Sequence, residues 1–61
     1  MAIGQLPSDV NMLLSFVNTR LRDEQIDLES FCAQFGVSVQ DLQEKLSQID
    51  YHYNEELNRF V

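Results

Sequence analysis

A single cysteine, Cys32, denies this 61-residue chain any internal disulfide, and no second thiol or histidine stands near it at metal-ligand spacing. Two glycines leave no glycine-rich loop to cradle a phosphate. Apolar runs such as Met12-Leu13-Leu14 fall far short of the roughly 20 residues that cross a bilayer. No basic segment leads into an apolar one at the N-terminus, so a signal peptide is not expected. Basic side chains are scarce as well. Arg20, Arg22, Lys45 and Arg59 stand against ten acids, a formal net charge of −6. A protein that binds a nucleic-acid backbone commonly neutralises about 6–10 phosphates, beyond the reach of four bases. The expectation is a soluble, cytoplasmic protein without a membrane partner.

What the sequence does contain is punctuation. Gly36-Val37-Ser38 separates two short amphipathic segments, Leu28, Phe31, Cys32 and Phe35 before it and Leu42, Leu46 and Ile49 after it. Gly36 stands where a helix ends in a left-handed cap, and Ser38 where the next helix needs an N-cap. Two helices joined by so short a turn form a helix-turn-helix. The first of them is expected over 27–35, with Asp27 as N-cap and Ile26 stapled against Phe31. The second is expected over 38–49, with Asp41 at the capping-box position and Val37 stapled against Leu42.

Upstream, Val10, Leu13, Leu14, Val17 and Leu21 form one helical stripe, so a helix is predicted over 8–23 with Ser8 as N-cap and Asp9 in its positive first turn. Residues 1–5 read as a loose lead, with Ile3 pinned onto the core. Downstream, Tyr51-His52-Tyr53 alternates, and residues 54–57 resemble a four-residue turn. A hairpin over 51–61 follows, opposing Tyr51 to Phe60 and His52 to Arg59. The rival is a terminal helix capped by Asn54. The fold class is therefore mainly α in a single domain: three helices, the last two a helix-turn-helix, and a short C-terminal β-hairpin, winged-helix-like.

Little here points to catalysis. Cys32 and His52 make a conceivable nucleophile and base, but Cys32 lies on the core face, where burial raises a thiol's pKa. His52 reads as an exposed strand residue, and Glu55 and Glu56 as solvated acids. No catalytic, cofactor, metal or small-molecule site is expected. Met12 and Phe16 lie round the first helix from its stripe. Either the hairpin aromatics cover them, or Met12, Phe16, Tyr51, Tyr53 and Phe60 together meet a twin or another protein. The leading expectation is thus a non-catalytic protein-interaction module that self-associates as a homodimer. Asn11, Ser15, Asn18 and Arg22 flank the stripe in a narrow arc, and the row Asn11, Ser15 and Asn18 reads as a solvated face in preference to a recognition ladder. The alternative is a winged-helix DNA-binding or transcription-associated protein presenting Gln40, Gln43 and Ser47 to bases, with Asp41 and Glu44 beside them repelling phosphates.

Leu6-Pro7-Ser8-Asp9, the run from Met12 to Asn18, Leu21-Arg22-Asp23, Tyr51-His52-Tyr53-Asn54 and Asn58-Arg59-Phe60-Val61 resemble a family of short bacterial proteins classed only as a domain of unknown function. The likeness spans Leu6 to Val61, and its most specific part is MLLSFVNTRLRD. It implies a bacterial cytoplasmic source and brings no activity, cofactor or binding residues. One departure is Asp50, where the resemblance leads one to expect glycine between the third helix and the first strand.

Overall fold

The computed structural model describes residues 6–61. The expected lead over residues 1–5, Ile3 included, lies outside them. Three helices, α1 (Val10–Glu24), α2 (Leu28–Phe35) and α3 (Val39–Ser47), precede an antiparallel pair, β1 (Tyr53–Asn54) and β2 (Arg59–Phe60).

α1 starts one residue later than Ser8 would have it. Asp9 is the N-cap, and its carboxylate accepts from the Asn11 and Met12 N–H groups at 2.8 and 3.1 Å. A carboxylate opposes the positive helix end more strongly than the Ser8 hydroxyl one step earlier. α2 spans the residues the sequence predicts. Asp27 accepts from Ser30 N–H at 2.8 Å, and α3 is capped by Ser38, whose hydroxyl accepts from Asp41 N–H at 3.2 Å.

The Ser30 backbone N–H and then its side chain hold the Asp27 carboxyl below its ordinary value of 3.8. A depressed folded-state pKa contributes stability above the unfolded-state value, and that contribution disappears as the pH falls through the folded one. Asp27→Asn keeps a cap but removes this titration, so its melting temperature should fall less steeply than the wild type's below pH 4. Melts recorded across the acid range test this, and parallel acid limbs would contradict it.

α2 and α3 end in the same way. At Gly36 (φ 67°), the Gly36 N–H donates to Ala33 and the Val37 N–H to the Cys32 carbonyl. At Asp50 (φ 67°), the Asp50 N–H donates to Ser47 and the Tyr51 N–H to the Leu46 carbonyl. Both are Schellman closures around a left-handed residue. α3 accordingly stops at Ser47, two residues short of the expected 49, because the chain must turn at Asp50 to send the hairpin back over α1. Aspartate tolerates that conformation at a cost glycine does not bear. Asp50→Gly should therefore stabilise the domain by up to about 1 kcal/mol, read as a higher melting temperature.

Leu13, Val17 and Leu21 from α1, four residues of α2, Leu42 and Leu46 from α3, and Phe60 from β2 form one buried core. Phe16 joins it from the flank. Its ring meets Phe35 edge-on at 5.5 Å and Phe31 at 6.1 Å, with the Arg20 guanidinium 5.2 Å above it. Phe16 is thus covered by α2 and not by the hairpin aromatics. The α1 stripe is wider than the five periodic positions because α2 lies along its far side.

The hairpin is present and the terminal helix is not. Its register differs from the expected one: Tyr53 faces Phe60 and Asn54 faces Arg59, while His52 exchanges backbone hydrogen bonds with Val61 at 2.9 Å in each direction. The loop is residues 55–58 in place of 54–57. Asn54 fixes it from outside, accepting Leu57 N–H on its side chain at 3.0 Å, and Asn58 closes it with a left-handed φ of 55°. Tyr51 therefore does not face Phe60, nor His52 Arg59.

Candidate interaction groove

Two asparagines fasten the hairpin to the helices. Asn18, midway along α1, turns its carboxamide onto the outward edge of β2: its Nδ2 donates to the Phe60 carbonyl at 3.1 Å and its Oδ1 accepts from the Phe60 N–H at 2.8 Å. The residue facing Phe60 across the pair, Tyr53, is not its hydrogen-bond partner, so both Phe60 backbone groups would otherwise lie unpaired at a sheet edge. Asn58 does the second fastening. Its Nδ2 donates to the Ile26 carbonyl at 2.8 Å, and its Oδ1 accepts the Tyr53 hydroxyl hydrogen. Burial first, then the charges of Asp27 and Glu55, raise the Tyr53 pKa and keep that hydroxyl a donor. From sequence alone Asn18 falls on a solvated face, and nothing local marks Asn58 for this role.

The fastening leaves a groove of about 790 Å³ between α1 and the hairpin. Leu14, Leu21, Tyr51 and Leu57 form its apolar lining, and Leu57 and Tyr51 are 54% and 37% exposed. Asn11, Ser15 and Thr19 line the α1 wall, which ends at Arg22 and Gln25, while Arg59 stands on the hairpin side. Two of the four basic side chains of the chain are therefore here. Among the described residues, none of the ten acids lines it. Arg22 touches Asp23 at 3.2 Å, a solvent-exposed pair of little energetic weight.

The five residues of the expected contact surface do not come together. Phe60 is core at 2% exposure, Tyr53 packs on it with ring centroids 5.5 Å apart, and Phe16 belongs to the α1–α2 aromatic cluster. Three of the five are consumed within the chain, because a domain this small draws most of its large aromatics into its thin core. Met12, 62% exposed, and Tyr51 remain on the surface. Gln40, Gln43 and Ser47 are all exposed on α3, but the Ser47 hydroxyl is turned back onto the Glu44 carbonyl at 2.7 Å. Gln43 borders a hollow that it shares with Asp27, Glu29 and Glu55. Phosphates approaching Gln43 would meet those three carboxylates.

Cys32 is buried, and that burial pushes its thiol pKa up; His52 is exposed, with Nε2 3.5 Å from Asp50 Oδ1. No cluster of three or more His, Cys, Asp or Glu side chains suited to a metal occurs among the described residues. No helix among them is long and apolar enough to cross a membrane.

A family model described as a domain of unknown function, DUF4250, matches residues 7–60, from the proline before α1 to the core phenylalanine of β2. The chain belongs to this family. No curated protein and no solved structure matches it. The match takes in every element of the fold and both asparagine fastenings, so the groove lies wholly within the DUF4250 region.

Proposed function

We propose that this DUF4250 domain is a non-catalytic protein-interaction module whose groove between α1 and the hairpin receives a segment of another protein. The observation that supports it is the pair of exposed apolar side chains, Tyr51 and Leu57, set at one long groove and framed by polar groups. A homodimer is less well supported. Three of the aromatics that would have built it, Phe16, Tyr53 and Phe60, are spent within the fold, and two grooves meeting about a two-fold axis would bring the arginines of one copy against those of the other.

Leu57→Asp is the discriminating variant, because Leu57 sits in the hairpin loop and its loss should leave the fold intact. Affinity capture from the native cell, read by mass spectrometry with wild type and variant side by side, should show a set of proteins kept by the former and lost by the latter. Identical profiles would count against the groove. The order of elements, a helix-turn-helix followed by a hairpin, favours duplex DNA as the second reading. A titration at low salt separates the two, and binding with a steep salt slope would favour DNA.

A further inference from the structure

Charge is distributed unevenly over this molecule. The net charge is −6, yet the groove between α1 and the hairpin has Arg22 and Arg59 in its lining and no carboxylate among the described residues. The other two bases are used differently. Arg20 is held by Glu24 at 2.6 Å over the Phe16 and Phe35 rings, and Lys45 lies on α3. Arg59 makes no ion pair among the described residues, and Arg22 is 79% exposed with one loose contact to its sequence neighbour. Two guanidiniums with open donor positions thus border Leu14, Tyr51 and Leu57.

From this we infer that the groove recognises an acidic segment carrying apolar anchors: Leu, Phe or Tyr side chains packing on Tyr51 and Leu57, and Asp or Glu side chains pairing with Arg22 and Arg59. The inference rests on the reading of the groove as a protein-docking site and names the chemistry of what docks there. The α1 wall from Asn11 to Gln25 rises about 21 Å, long enough for roughly six extended residues. The segment does not join the sheet at Phe60, because Asn18 already occupies the N–H and C=O there. It is held by side chains, which is why the two arginines decide its composition.

A displayed library of random ten-residue peptides, selected on the immobilised domain, tests this. The expected result is enrichment of peptides combining Asp or Glu with Leu, Phe or Tyr. Synthesised singly, they should bind roughly tenfold or more weakly to R22E/R59E, and Lys-substituted versions should prefer that variant over wild type. Circular dichroism confirms that the variant, altered at two exposed positions, is folded. Enriched peptides without acids, indifferent to R22E/R59E but lost with Leu57→Asp, would overturn the acidic preference and leave the groove standing. Peptides indifferent to Leu57→Asp as well, or no enrichment at all, would overturn both.

Discussion

Phe60→Ala should leave the domain unfolded at physiological temperature. Removing a buried phenylalanine ring costs about 3–5 kcal/mol through lost transfer energy and the cavity left behind. A chain of this size rarely has more than about 3–5 kcal/mol of stability from a single core. Phe60 is 2% exposed, and it is the only residue the hairpin contributes to the buried core. Far-ultraviolet circular dichroism and amide dispersion in NMR spectra would show the loss. A cooperative melt only a few degrees below the wild type's would mean that the ring does not fill the core. Met12→Ala makes the useful contrast: an exposed side chain is removed, and the change should stay within about 0.5 kcal/mol.

The second large effect concerns one carboxamide. Asn18→Ala strips the Phe60 N–H and C=O of their partners in a half-buried position, which should cost about 2–3 kcal/mol. For a domain this small that is a melting temperature lower by roughly 10–20 °C. Asn18→Asp separates hydrogen bonding from packing. Its carboxylate has the same shape and still accepts from the Phe60 N–H, but at neutral pH it sets an oxygen against the Phe60 carbonyl. It should therefore lose much of the same stability without any change of volume. The Phe60 amide is the local reporter, and its hydrogen exchange should accelerate in both variants beyond what the drop in global stability explains. Unchanged protection at Phe60 would show that the amide clamp contributes nothing.

What was legible in the sequence was local. Asp27, Gly36 and Ser38 act within four residues of themselves, so residue type and spacing suffice to place α2 and the start of α3. The glycine expected at Asp50 is the same kind of signal, and the left-handed φ there shows why that corner asks for one. The end of α1 at a left-handed Gln25 carries no such mark, and the choice of Asp9 over Ser8 turns on a single step between two good caps. Hairpin register was beyond reach for a different reason. Tyr51 and Tyr53 are two apart, so sliding one past the other keeps the same face toward Phe60 and the alternating pattern cannot tell them apart. The structure resolves it through Asn54 and Asn58, which brace the loop from either side.

The groove was legible only in fragments. The row Asn11, Ser15, Asn18 and Arg22 is visible as helical spacing, but its third member, Asn18, bonds a residue 42 positions away, and no periodicity encodes such a pairing. Leu57 reads from sequence as a turn residue, and only the folded hairpin brings it into one lining with Leu14 of α1. Arginines at 22 and 59 are unremarkable in a composition count. Their meaning comes from sharing one lining from which, among the described residues, every carboxylate is absent, a property of the surface and not of the chain.

Cys32 gives the experimenter an unplanned instrument. Sealed among phenylalanines and reluctant to ionise, its sulfur can meet an alkylating reagent only while the helices are apart. The pace of labelling therefore clocks how often the molecule comes open, in dilute solution or inside a living cell, without any substitution in the chain.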